Sequence, residues 1–168
     1  MSKIIFVTGG ARSGKSAISE QKTLALADHA IYIATAEVRD DEMSDRVALH
    51  QARRGPEWTT ISEPIDLAGT LTKTDGDAPR LVDCLTLWLT NVMLGEMDWA
   101  TETDHLLRTL DTLRSPVVFV SNEVGLGIVP DNKLARQFRD AAGLLNQRIA
   151  ARSDEVSLVV SGIEMKVK

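Results

Sequence analysis

Residues 9–16 read Gly9-Gly10-Ala11-Arg12-Ser13-Gly14-Lys15-Ser16, a complete GxxxxGK[ST] pattern placed directly after the apolar run Ile4-Ile5-Phe6-Val7. The apolar run has the length and composition of a buried strand, so the pattern sits where a strand hands over to a helix. Glycines at 9, 10 and 14 permit backbone conformations and close approaches that side chains block, which lets successive N–H groups turn inward around phosphate oxygens. Lys15 brings a positive charge to the β and γ phosphates. The Ser16 hydroxyl is a ligand for Mg²⁺, and the following helix directs its positive dipole end at the same oxygens. The eight residues read as a phosphate clamp of a nucleotide-binding protein.

Working outward, strand-like runs fall at 3–8, 30–35, 80–83, 117–121 and 155–161, with helical periodicity in most of the longer segments between them. Such alternation predicts parallel strands joined by helices. The runs IIFV, IYIA, VVFV and SLVV are apolar on both faces, as strands covered by helices on each side should be. The expected fold is a three-layer α/β domain with a mostly parallel central sheet, of the P-loop NTPase (RecA-like) kind. Gly162 and residues 163–167 suggest a closing hairpin strand, Gly55 and Pro56 punctuate a second helix, and 74–79 (TDGDAP) form the clearest loop.

Composition narrows the function classes. A chain of 168 residues supports one well-buried core and predicts a single domain over 1–168. The net charge of −5 gives no reason to expect nucleic acid or an acidic membrane as partner. Cys84 is the single cysteine, so no intrachain disulfide can form. No apolar run has the length of a membrane span, and the first strand begins too close to Met1 for a signal peptide, so a cytoplasmic location is expected.

In open parallel sheets ligands collect beyond the carboxyl ends of the strands. Those positions hold the phosphate loop, then Ala34, Thr35 and Ala36, then Asp83, then Asn122 and Glu123. Asp83 has two compatible readings, a metal-holding acid beside the phosphates and an N-cap for a helix over 85–94. Cys84 reads as a small buried residue, with no neighbouring base to make it a nucleophile. In a predicted helix over 40–54, Arg46, His50, Arg53 and Arg54 share one face. That face is either solvated and salt-bridged or a cationic surface for a triphosphate. His50 is either a surface histidine or a nucleophile toward an α-phosphate, kept neutral by the arginines. Asp131 reads as an N-cap for the next long helix, and Trp58, Trp88 and Trp99 read as packing residues.

The segments GGARSGKS, IYIATA, DDEMSDRVALHQARRGPEW, LVDCLTLWLTN, SNEVGLGIVPDNKLARQFRDAAGLLNQRIA and EVSLVVSGIEMKVK together resemble the bifunctional adenosylcobinamide kinase/adenosylcobinamide-phosphate guanylyltransferase family of cobalamin biosynthesis. The resemblance runs from end to end. It implies two reactions: ATP or GTP phosphorylates the aminopropanol hydroxyl of adenosylcobinamide, then GTP guanylylates a histidine that passes GMP to adenosylcobinamide phosphate. On this resemblance the histidine is His50, with Lys15 as the second catalytic residue. Nucleotide contacts carry over to Gly9, Gly10, Ala11, Arg12, Ser13, Gly14, Lys15, Ser16, Ala34, Thr35, Ala36, Gln51, Ala52, Arg53, Arg54 and Asp83, with Mg²⁺ at Ser16 and Asp83. A family glutamate falls at Ser62, with Glu63 next door, so either the carboxylate is supplied one residue later or the contact is lost. The resemblance also implies a homotrimer, for which the apolar residues of 85–94 are the expected subunit contact. A P-loop switch or motor ATPase is the alternative class, and the Asn-Lys-x-Asp guanine motif of GTPase switches is missing from the sequence. A single-activity enzyme of the same fold, or a kinase for another alcohol, also stands.

Overall fold

The computed structural model of the chain describes residues 2–37 and 54–168. Of the predicted helix over 40–54 it describes Arg54; His50, Gln51, Ala52 and Arg53 lie outside the described residues. In order, the elements are β1 (Ile4–Gly9), α1 (Lys15–Leu24), β2 (Ala30–Ala34), β3 (Trp58–Ser62), α2 (Leu67–Lys73), β4 (Arg80–Asp83), α3 (Leu85–Leu94), α4 (Trp99–Leu110), β5 (Val117–Asn122), α5 (Lys133–Arg152), β6 (Glu155–Val160) and β7 (Ile163–Lys166). The strands form one sheet in the order β3-β2-β4-β5-β1-β6-β7, with β7 antiparallel to β6 and the other pairs parallel. The three-layer α/β expectation therefore holds.

Alternation along each strand builds two cores. Ile4 and Phe6 face Val82, Phe119, Leu85, Trp88 and Leu145, under the helices α2 to α5. Ile5 and Val7 face Leu81, Val118 and Val120 on the opposite side, where Ile18 of α1 packs. The helix ends follow capping chemistry: the Asp98 carboxylate accepts from Ala100 N and Thr101 N to start α4. For α5 the cap is Asn132, whose Oδ1 accepts from Ala135 N at 2.8 Å, and not the expected Asp131.

One strand has no counterpart among the runs that the sequence predicts. β3 reads Trp-Thr-Thr-Ile-Ser at the sheet edge, half-buried or exposed throughout, so it lacks the continuous apolar run that announces the central strands. Trp58 nevertheless packs, edge-to-face on Tyr32 with centroids 5.9 Å apart.

Candidate functional site

The phosphate loop is shaped by its own sequence and by its neighbours in the sheet. Gly9 ends β1 between Asn122 of β5 and Val159 of β6. A Cβ there would stand 2.4 Å from the Val159 carbonyl oxygen and 2.7 Å from Ser13 Oγ, so only glycine fits. Arg12 (φ 56°) and Gly14 (φ 95°) reverse the chain. Ser13 N–H donates back to the Gly10 carbonyl at 3.3 Å, and Lys15 Nζ reaches the same oxygen at 2.9 Å. A Cβ added at Gly10, by contrast, would meet nothing within 4 Å, so protein packing does not impose the glycine that the sequence pattern suggests there. Helix α1 begins at Lys15 from a left-handed Gly14 that offers no side-chain cap. Its first amides, with Lys15 and the half-buried Ser16, converge on the loop, while Ala11 and Arg12 are exposed.

A second group gathers at the carboxyl ends of β2, β3 and β4, where Ala34 is level with both Ser62 and Asp83. Asp83 Oδ2 accepts a 2.5 Å hydrogen bond from the Tyr32 hydroxyl, so its carboxylate does not cap α3; the cap position is Cys84, with no side-chain bond. Burial, and then the Asp83 charge, push the Tyr32 phenol far above its ordinary value and keep it a donor. The Arg54 guanidinium lies 3.5 Å over the Tyr32 ring. Arg54 is thus packed rather than solvated, and two of its nitrogens, Nε and Nη1, are buried without an acceptor among the described residues.

Thr35 is fully buried and serves as a rivet between strand ends. Its hydroxyl donates to the Cys84 carbonyl at 2.7 Å and accepts from Cys84 N at 2.8 Å, while Asn91 Nδ2 donates to the Thr35 carbonyl at 2.8 Å. Its expected nucleotide contact therefore has no hydroxyl to work with, and half-buried Ala34 and Ala36 flank it. Ser62 is exposed at the tip of β3. The neighbouring Glu63 carboxylate accepts from Ile65 N at 2.9 Å, Asp66 N at 2.7 Å and Thr70 Oγ1 at 3.3 Å, so it is committed to the turn before α2. Cys84 is buried, and that burial, with Asp83 beside it, pushes its thiol up to about 11, in keeping with an inert packing residue.

Between the two groups stands β5. Asp83 pairs with Val120, and Val120 with Val7, which places Asp83 two ladder spacings, roughly 9.5 Å, from β1. The β5 tip is held by Thr86, whose hydroxyl accepts from Asn122 N at 2.7 Å, and by Asn146, which accepts from Ser121 Oγ at 2.7 Å. Tyr32, Thr86, Asn91 and Asn146 carry no signal in the sequence that marks them for these roles. None of them belongs to a recognisable motif, and only the fold shows what each meets.

On the α3/α5 side lies an apolar groove of about 510 Å³ lined by Met93, Leu94, Val124, Pro130, Leu134 and Phe138. Leu126 and Ile128 beside it in sequence are 88% and 98% exposed. The expectation that the apolar residues of 85–94 form a subunit contact fails for most of them. Leu85, Trp88, Leu89 and Val92 are core, and Leu94 alone among the leucines of α3 is exposed.

A glycine-rich loop between β1 and α1, one strand interposed between β1 and the acid-bearing β4, and helices on both faces define a P-loop NTPase of the RecA-like kind. Solved structures agree on the fold: an ATPase from a bacterial type III secretion system (TM-score 0.55, 10% identity, 98% of this chain and 56% of that one), and the flagellar accessory protein FlaH of Methanocaldococcus jannaschii (0.52, 11%, 99% and 78%). Within that class, the chain belongs to the cobinamide kinase / cobinamide phosphate guanyltransferase family, whose profile matches residues 5–167. It is 45% identical to the bifunctional adenosylcobalamin biosynthesis protein CobP of Pseudomonas aeruginosa, over 96% of this chain and 95% of that one. It is also 41% identical to the protein named CobU in Salmonella typhimurium, over 98% and 99%.

Proposed function

We propose that this chain carries out both reactions of its family at the one phosphate loop. First, the hydroxyl of the aminopropanol arm of adenosylcobinamide attacks the γ-phosphate of ATP or GTP, and the nucleoside diphosphate leaves. Then a His50 ring nitrogen attacks the α-phosphate of GTP, forming a P–N bond as the bond to pyrophosphate breaks. A phosphate oxygen of adenosylcobinamide phosphate takes the GMP group, the P–N bond breaks, and His50 is regenerated with adenosyl-GDP-cobinamide as product.

The observation that carries this reading is the loop 9–16 itself, closed around its backbone amides in a chain matched nearly end to end by the family. Lys15 and the α1 amides bind the phosphates and offset the charge that builds on the leaving oxygens. Arg54, whose buried Nε and Nη1 lack acceptors among the described residues, supplies a cation at the end of the segment that bears His50, and Gln51, Ala52 and Arg53 are assigned to the same nucleotide surface. Ser62 is assigned to the nucleotide surface as well, with Glu63 supporting the turn behind it.

The oxygen donors at Ser16 and Asp83 suit Mg²⁺, a hard cation that takes most of its ligands from phosphate and water. When bound it supplies charge neutralisation for the phosphoryl oxygens. Among the described residues Asp83 keeps one carboxylate oxygen beyond the bond from Tyr32 for this role. We further propose that the protein works in the cytoplasm as a homo-oligomer, a trimer on the resemblance; exposed Leu126 and Ile128 support a further partner surface, and no described helix can cross a membrane.

The test is incubation with Mg²⁺ and GTP labelled at the α-phosphate, then peptide mapping. Acid-labile, alkali-stable GMP on the His50 peptide is expected. His50→Ala should lose label and guanylyl transfer while keeping most phosphorylation of adenosylcobinamide; guanylyl transfer retained in that variant would sink the assignment.

A further inference from the structure

The phosphate loop is gripped by the far end of the chain. Strands β6 and β7 are joined by the two residues Ser161 (φ 52°) and Gly162 (φ 80°), with Val160 paired to Ile163. Positive φ at both positions is the type I′ hairpin turn, which brings the chain back with the twist of its strands. This turn lies on the loop. Gly162 N–H donates to the Ser13 carbonyl at 2.7 Å, a bond spanning nearly the whole sequence. The approach is close enough that a Cβ on Gly14 would stand 3.1 Å from Gly162 Cα.

The bond acts on the peptide that matters most. In a trans peptide the carbonyl of one residue and the N–H of the next point in opposite directions. Fixing the Ser13 carbonyl toward the hairpin therefore fixes the Gly14 N–H away from it, toward the concave side of the loop where phosphate oxygens are held. Without that bond, a glycine at 14 leaves the peptide plane free to rotate.

The hairpin holds the helix behind the loop as well. Glu164 of β7 accepts from Lys22 of α1 at 2.7 Å and from Ser157 Oγ at 2.6 Å. Meanwhile every residue of β7 is exposed, Ile163 and Met165 included, so the strand adds little to either core. Beyond the pairing with β6, the specific contacts of the turn and β7 are with the loop and with α1.

We propose that Gly162 is a positioning residue for nucleotide binding: its N–H sets the Ser13–Gly14 peptide so that the Gly14 N–H faces the phosphates. The proposal rests on the reading of loop 9–16 as the nucleotide site. It is tested by replacing the Gly162 amide with an ester, through ligation of a synthetic C-terminal segment carrying glycolate at 162, which removes the N–H donor while keeping every side chain and the chain length. GTP and ATP affinity are measured by titration calorimetry, and KM and kcat by product assay. Nucleotide affinity should fall about tenfold, the effect of one hydrogen bond in a charged site, with KM rising more than kcat falls.

Gly162→Asn keeps the N–H, tolerates positive φ and meets no atom within 4 Å of its Cβ, so it should stay within about threefold of the parent chain. An ester chain that binds nucleotide within about twofold of the parent overturns the proposal, as does an Asn variant that falls as far as the ester. Lys15→Ala separates this from the underlying reading: if that variant binds nucleotide like the parent, the loop is not the site, whatever Gly162 does.

Discussion

The two ends of β4 carry opposite charges in opposite circumstances. Arg80 opens the strand with its side chain fully buried, donating from Nη1 to the Leu71 carbonyl and Asp75 Oδ1, both at 3.1 Å, and from Nη2 to the Ser115 carbonyl at 2.6 Å. Asp75 in turn accepts from the backbone N–H groups of Arg114 and Ser115. Asp83 closes the strand half-buried and, among the described residues, is met by the neutral Tyr32 hydroxyl rather than by a cation. The floor of the sheet buries Arg80 completely against a mostly covered Asp75 and uses the pair for stability. The ceiling leaves a carboxylate with capacity to spare, and that is where a ligand-binding acid belongs.

The contrast breaks most visibly at the floor. Arg80→Met removes the buried cation of Asp75, leaving it the exposed Arg114 at 3.6 Å, and should destabilise the chain by about 3 kcal/mol in urea unfolding, with nucleotide KM unchanged in the folded fraction. At the ceiling the pattern should invert. Asp83→Asn keeps an acceptor for Tyr32, so the unfolding midpoint should stay put while both transfers slow by about 10²-fold; a fall in stability with normal turnover would erase the distinction between the two ends.

Tyr32→Phe sharpens it further, removing one hydrogen bond of about 1 kcal/mol from Asp83. The expected signs are a several-fold lower kcat and a higher Mg²⁺ requirement, read from Mg²⁺ titrations of the product assay. Acid should also find the floor first. Burial alone would raise the Asp75 carboxyl, but the Ser115 and Arg114 amides and then the Arg80 guanidinium outweigh it and hold the group below its usual range. A carboxylate whose folded value is depressed stabilises fully above the ordinary value near 3.9 and loses that contribution as pH falls toward the folded one. Melts from pH 7 down to about pH 2 should therefore show a loss below about pH 4 that is reduced in Arg80→Met. The smallest effect belongs to Glu164→Gln, a partly exposed partner of Lys22, at a few tenths of a kcal/mol in stability.

Much of this is legible in the residues. Continuous apolar runs mark the central strands because a strand covered on both faces can be apolar throughout, and the glycine pattern marks the loop because few other residues fit its backbone. β3 carries no such mark because an edge strand needs only a few apolar contacts. The cap of α5 falls one residue later than expected, since Asp131 and Asn132 are equivalent as capping chemistry and only the path of the backbone separates them. The apolar face of 85–94 turns inward rather than toward a second subunit, because apolar residues bound for a core and for an interface look alike in a sequence.

What the sequence by itself determined was local: a phosphate loop, alternating strands and helices, and a family pattern that reaches both ends of the chain. These depend on backbone sterics and on near-neighbour periodicity, which a linear string records. The tertiary structure decided which distant groups meet. It put the Tyr32 hydroxyl on Asp83, turned Thr35 into a rivet between β2 and β4, and laid the Gly162 amide against Ser13. A hydrogen bond is fixed by distance and direction in space, and those are set only when the sheet brings its strands into register.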